Sequence, residues 1–252
     1  VGGFARRPER LPPGFVPIQG DYTVSVASAV AFAPDYIVFT PTPAGRDADG
    51  YVRGYAESAE RIVDSGLLAT VKRAIYVSST RVYAEQEGGV VTEDAPLSST
   101  DPGALAIQRG EQAFAGGGTS TALRASGLYG DTDGMLLNQV VSGYYAEDGQ
   151  RWSNRIHRDD LAGLICHLLR REERGEHVPP VLIASDSAPT LISEVEQWLA
   201  SQLGLTLDKP RSSIPRANRQ CSNALALSLD YCFRYPSFKE GYAQALENQR
   251  AK

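Results

Sequence analysis

Short apolar runs, each closed by turn residues, alternate along this chain with longer segments whose apolar positions recur every three or four residues. Val1 to Phe4 reads as a strand broken by Arg6-Arg7-Pro8-Glu9-Arg10. Phe15-Val16-Pro17-Ile18 reads as a second, ending in the turn Gly20-Asp21. Ile37-Val38-Phe39 is a third, closed by Thr40-Pro41-Thr42-Pro43. From Tyr51 onward, Tyr51, Tyr55, Ile62, Val63 and Leu67 share one helical face, and Glu57 and Arg61 have the spacing of a supporting ion pair. Ala74 to Val77 then completes a strand-helix-strand unit. This alternation predicts an α/β fold on a parallel sheet with right-handed crossovers, which place helices on both faces.

Further along, Ala104 to Phe114 is a predicted helix stopped by Gly116-Gly117-Gly118, and Thr121 to Arg124 is the next strand. The triple glycine follows a helix and leads into a strand, the reverse of what phosphate binding at a helix N-terminus needs. Asp159-Asp160 reads as the cap of a helix carrying Leu161, Leu164, Ile165, Leu168 and Leu169, and Val181 to Ala184 as a strand. Ser193 with Glu196 has the form of a capping box for a helix bearing Val195, Trp198, Leu199 and Leu203. The mixed pattern beyond Asp208 suggests part of a smaller lobe.

With 42% hydrophobic and 22% charged residues among 252, the chain can bury a substantial core. Its formal charge of −5 and scattered basic residues argue against a nucleic-acid surface. Cys166, Cys221 and Cys232 form no paired motif, so neither a metal site nor a disulfide framework is expected. Each is read as a small buried hydrophobe, and the reducing cytoplasm as the compartment. No apolar run reaches the roughly 18 residues that a membrane-spanning helix needs.

The segment Ala74-Ile75-Tyr76-Val77-Ser78-Ser79-Thr80-Arg81-Val82-Tyr83 resembles the fifth strand of an extended short-chain dehydrogenase, the NAD-dependent epimerase/dehydratase family, with its Ser-Ser-x-x-Val-Tyr-Gly ending. Leu123-Arg124-Ala125-Ser126-Gly127-Leu128-Tyr129-Gly130 is similar to that family's Leu-Arg-x-x-x-Val/Ile-Tyr-Gly, and Asn154 to Asp160 to its Ile-His-Val-Asp-Asp. Cys221-Ser222-Asn223-Ala224 and the stretch from Phe233 to Tyr242 resemble the tail of one atypical branch. The family's Tyr-x-x-x-Lys is absent: the corresponding segment is Gly103-Ala104-Leu105-Ala106-Ile107-Gln108-Arg109, with glycine at the place of the tyrosine. Tyr235 to Lys239 matches by letter, but Pro236 breaks the helical turn the pair requires. The opening glycine-rich loop is also missing, so the first strand, loop and first helix are expected upstream of Val1.

The resemblance implies a Rossmann-like domain of residues 1–130 with 155–186, and a smaller C-terminal substrate lobe of 131–154 with 187–252. It implies NADP or NAD as cofactor, a small and sugar-like substrate, and a homodimer as the assembly to consider. Arg6 and Arg7 fall where a 2′-phosphate would be held, the alternative being a solvated turn. Asp21 would lie beside the adenine, and Thr40, Pro41, Thr42 and Ser78 beside the rest of the cofactor. Ser79 would polarise the substrate carbonyl. With the usual base absent, Tyr83 and His157 are the side chains considered for the proton, His157 being read first as a structural hydrogen bonder. The function implied is oxidation or reduction at an alcohol or ketone carbon. The alternative is a dinucleotide-binding sensor or scaffold without turnover.

Overall fold

A computed structural model describes residues 1–130, 134–212 and 217–250. The chain folds into two compact units, the first made of Val1–Val82, Ser98–Arg124 and Leu168–Leu182, the second of Tyr83–Leu97, Ala125–His167 and Ile183–Lys252. Strands and helices are numbered along the chain.

The first unit is the α/β part. Strands β1 (Gly2–Ala5) and β2 (Val16–Gln19) pair in parallel. A four-stranded sheet follows, ordered β11-β6-β4-β3 from β3 (Tyr36–Phe39), β4 (Arg73–Ser79), β6 (Ser120–Ala125) and β11 (Val181–Ala184), with β3 and β4 parallel. Helix α1 (Ala27–Phe32) buries none of its residues. Helices α2 (Ala48–Tyr51) and α3 (Ser58–Asp64) are joined by the π-helical turn Val52–Glu57, and α4 (Pro102–Gly117) packs against them. The expected alternation is therefore present, with the parallel sheet covered by helices on both faces. Its centre is aromatic: Phe39 stacks on Phe114 at 5.6 Å and Tyr76 lies 5.0 Å from Phe114. The predicted Glu57–Arg61 pair gives way to backbone contacts, the Arg61 guanidinium donating to the carbonyls of Tyr22 at 3.0 Å and Glu57 at 3.4 Å. Among the described residues β1 and β3 each keep an unpaired edge, and Phe15, Val16, Val30, Phe32 and Val38 are exposed.

The second unit is built from short pairings. Strand β5 (Val90–Val91) pairs with β14 (Gln220–Cys221), β7 (Gly127–Tyr129) with β10 (Arg155–His157), β8 (Tyr144–Ala146) with β13 (Lys209–Arg211), and β9 (Trp152–Ser153) with β12 (Thr190–Leu191). Helices α5 (Met135–Val141), α7 (Ile192–Leu203) and α9 (Phe238–Arg250) share a core of Leu137, Val140, Val195, Leu199, Phe238, Tyr242 and Leu246. Helix α8 (Ala224–Ser228) is short, and α6 (Arg158–Glu173) carries the expected leucine stripe. Residues 83–97, 125–130, 155–167 and 183–186 belong to this unit, where the resemblance groups them with the cofactor domain.

Three local expectations are corrected here. Glu196 is not the partner of a capping serine: it is buried, accepts the Ala146 N–H at 2.9 Å and pairs with Arg211. Asp160 does not cap its own helix, for its carboxylate accepts the N–H groups of Arg234 and Tyr235, each at 2.8 Å. Cys221 is buried as expected, but Cys166 and Cys232 are exposed.

Candidate active site

Parallel strands deliver their carboxyl ends to one edge, and in open α/β sheets that edge is where ligands bind. In the first unit Arg6 and Arg7 follow β1 and Asp21 follows β2 in the two-stranded sheet, while Thr40 to Thr42 follow β3 and Ser79 ends β4 in the four-stranded sheet. Arg6 and Arg7 are exposed and make no ion pair among the described residues. The Asp21 carboxylate accepts from the Thr23 N–H at 2.9 Å and the Thr23 hydroxyl at 2.6 Å, bonds that hold its pKa below the usual carboxylate range, with a smaller push from Arg6. The Tyr22 hydroxyl meets both the Thr42 hydroxyl and its N–H at 3.2 Å, so the turns after β2 and β3 are joined. Thr40 and Thr42 are exposed and Pro41 is buried. Two unpaired arginines beside a polar turn fit a phosphorylated adenosine.

Ser78 and Ser79 point to opposite faces of β4 because side chains alternate along a strand. The buried Ser78 hydroxyl donates to Glu111, whose carboxylate also receives the Arg124 guanidinium. This hydroxyl is engaged within the core. Ser79 is half-buried, and its oxygen accepts the Arg81 N–H at 3.2 Å. A serine hydroxyl whose oxygen is already engaged keeps its proton for donation, as carbonyl polarisation requires.

Beside it stands a group that the sequence did not single out. Arg81 forks onto Asp101, with Nε–Oδ2 2.7 Å and Nη2–Oδ1 2.8 Å, and Asp101 caps α4 by accepting the Gly103 N–H at 3.0 Å. The pair holds Asp101 low and Arg81 high, with the nearby Tyr51 phenol adding a weaker push to the arginine. The guanidinium lies 4.6 Å from the Tyr51 ring, which stacks on Tyr55 at 5.6 Å. Burial pushes the Tyr55 phenol up to about 12. Asp101-Pro102 was the available signal, as Asp at the cap with Pro next marks a helix start. Ile107, four residues beyond Gly103, is buried, so neither member of a tyrosine–lysine pair has a counterpart on α4.

In the second unit Tyr83 has no exposed surface. His157, at the end of β10, is 5% exposed, with its ring 3.9 Å from that of Tyr235 and 5.3 Å from that of Tyr129. Gly130, at φ +119°, packs against the imidazole so closely that a Cβ would strike Nε2. Nδ1 accepts the Asp159 N–H at 3.2 Å, which puts the proton of the neutral ring on Nε2. Burial lowers the His157 pKa, with the neighbouring Asp159 and Asp160 carboxylates opposing it. The ring is thus a neutral donor held by packing. Asn154 bonds the Arg219 carbonyl and the Cys221 N–H, and Asn223 the Ser185 carbonyl, giving the tail motif its structural use. Helix α9 begins at Phe238, leaving Tyr235 outside it. Among the described residues no His, Cys, Asp and Glu cluster could hold a metal, and no helix is long and apolar enough to cross a membrane.

No family model matches the chain. Protein YeeZ of Escherichia coli K12 is 28% identical over 211 residues, covering 80% of this chain and 72% of its own. The structure of a Methylobacillus flagellatus protein assigned as an NAD-dependent epimerase/dehydratase superposes with a TM-score of 0.79 at 28% identity, over 99% of this chain and 89% of the other. MoeE5 in complex with UDP-glucose and NAD superposes with a TM-score of 0.79 at 21% identity, over 98% and 89%. The parallel sheet and these superpositions agree: the chain has the fold of the NAD-dependent epimerase/dehydratase family, the extended short-chain dehydrogenases.

Proposed function

We propose that this protein binds a nicotinamide dinucleotide and acts at an alcohol or ketone carbon of a sugar nucleotide. The observation that supports the reading is that Arg6, Arg7, Asp21, Thr40, Thr42 and Ser79 each stand at or just after the carboxyl end of one of β1 to β4, with Tyr22 and Thr42 joining the turns after β2 and β3. Residues 1–130 with 155–186 serve the cofactor in this reading, and 131–154 with 187–252 the substrate. Arg6 and Arg7 hold a 2′-phosphate, which makes NADP the preferred form, although related structures contain NAD. When bound, the nicotinamide supplies hydride transfer. Ser79 donates its proton to the substrate oxygen. Tyr83 is enclosed and His157 offers a donor at Nε2, so no side chain named from the sequence is set to take the hydroxyl proton. Turnover is slow in consequence, since general-base catalysis typically contributes about 10²–10⁴-fold.

A second reading, dinucleotide binding without turnover, draws on Gly103 and buried Ile107 at the positions of the missing pair. One titration series separates the two. Calorimetry with NAD and NADP, followed by absorbance of the reduced cofactor after adding sugar nucleotides, gives binding with slow turnover if the first reading holds. Binding without any turnover supports the second, and failure to bind either dinucleotide removes both.

A further inference from the structure

Arg81 follows Ser79 by two residues, on the turn whose N–H the Ser79 oxygen accepts. Its guanidinium is fixed on three sides: the Asp101 fork holds one edge, the Tyr51 ring lies 4.6 Å away, and Gly103 lies beneath. A Cβ at Gly103 would meet Cζ at 2.6 Å, Nη2 at 2.8 Å and Nη1 at 2.9 Å, and such similar distances mean that the guanidinium plane lies flat over the glycine. The space where a side chain at 103 would begin is thus filled by Arg81.

That geometry also decides which donors are free. The fork uses the Nε–H and one hydrogen of Nη2, and the Tyr51 hydroxyl takes a further, weaker hydrogen bond from the guanidinium, which leaves two of its N–H donors outside these contacts. The side chain keeps 42% of its surface exposed. A guanidinium with one open edge matches the two oxygens of a second carboxylate, and it can only donate.

We infer that Arg81 is a ligand-binding residue of this site, and that its open edge receives a carboxylate carried near the carbon whose oxygen Ser79 meets. The preferred sugar nucleotide is then a uronate and not a neutral hexose. This rests on the sugar-nucleotide reading above. The test is calorimetric titration, with NAD present, of UDP-glucuronic acid and UDP-glucose, which differ by that carboxylate. The acid is expected to bind at least about tenfold more tightly, the scale of one charge-assisted hydrogen bond. Arg81→Met should abolish the preference by bringing the affinity for UDP-glucuronic acid down to that for UDP-glucose. Gly103→Ala should reduce it by displacing the guanidinium without removing it, and thermal melts of both variants report whether they fold. Equal affinities in the unaltered protein, or a preference that survives both substitutions, would overturn the inference while leaving the sugar-nucleotide reading in place. Binding of neither compound overturns that reading and the inference together.

Discussion

Arg124 on β6 forks onto Glu111 on α4, with Nε–Oε1 3.0 Å and Nη2–Oε2 2.8 Å, and the two side chains are 6% and 9% exposed. The Ser78 hydroxyl joins the same carboxylate, so the strand that ends in Ser79 is tied from below to a buried charge pair. Removing one partner strands the other charge in the core. Glu111→Ala should cost about 3–5 kcal/mol in urea denaturation, and Glu111→Leu with Arg124→Leu should recover much of that loss. A loss under about 1 kcal/mol would mean that water reaches Arg124.

Arg6 and Arg7 are exposed at the end of β1, as a 2′-phosphate site requires. Replacing both with Ala should weaken NADP binding by about 1.5–3 kcal/mol for each charge-assisted hydrogen bond removed, and leave NAD binding nearly unchanged. Calorimetry with both cofactors decides it. Equal weakening for the two would make the arginines structural.

Burial raises the Asp186 carboxyl from 3.8 to about 7, against the pull of the Ala188 N–H and Arg155, with Asp160 and Glu240 adding to the rise. The folded protein therefore keeps a proton that the unfolded chain gives up across that window. Stability should fall as pH rises from about 4 to about 7 and level off above it, with this group contributing on the order of 4 kcal/mol. Asp186→Asn should flatten that slope in denaturation curves taken at several pH values.

His157 has the opposite sign. Its pKa is lowered from 6.5, so protonation favours the unfolded chain, and its contribution is complete above about 6.5 and lost as pH falls below. His157→Gln should lessen the drop in melting temperature on acidification. Nitrogen NMR of the ring at neutral pH should find the proton on Nε2.

Asp160 holds the turn that carries Tyr235 against the His157 ring. Asp160→Ala should cost about 1.5–3 kcal/mol and expose residues near Arg234 to protease. Asp160→Asn, which keeps one acceptor oxygen, should lose less.

The strands were legible because each ends in turn chemistry: Arg-Arg-Pro after Ala5, Gly-Asp after Gln19, Thr-Pro after Phe39. Helix α6 was legible from its leucine spacing. Asp160 and Glu196 were misread because local spacing made both look like caps, whereas their partners lie far along the chain, at Arg234 and Tyr235 for one and at Ala146 for the other. Neither bond leaves a trace in nearby sequence. Arg81 was passed over for a related reason: an arginine in a turn looks solvated until Asp101 and Gly103 are folded against it.

The close approach of Gly103 to Arg81 also sets the order in which this site can change. A tyrosine introduced at 103 alone would drive its first carbon into the guanidinium and break the fork with Asp101. Loss of Arg81 opens that space while Asp101 keeps its cap on the Gly103 N–H, so the arginine has to give way before a larger side chain can occupy position 103.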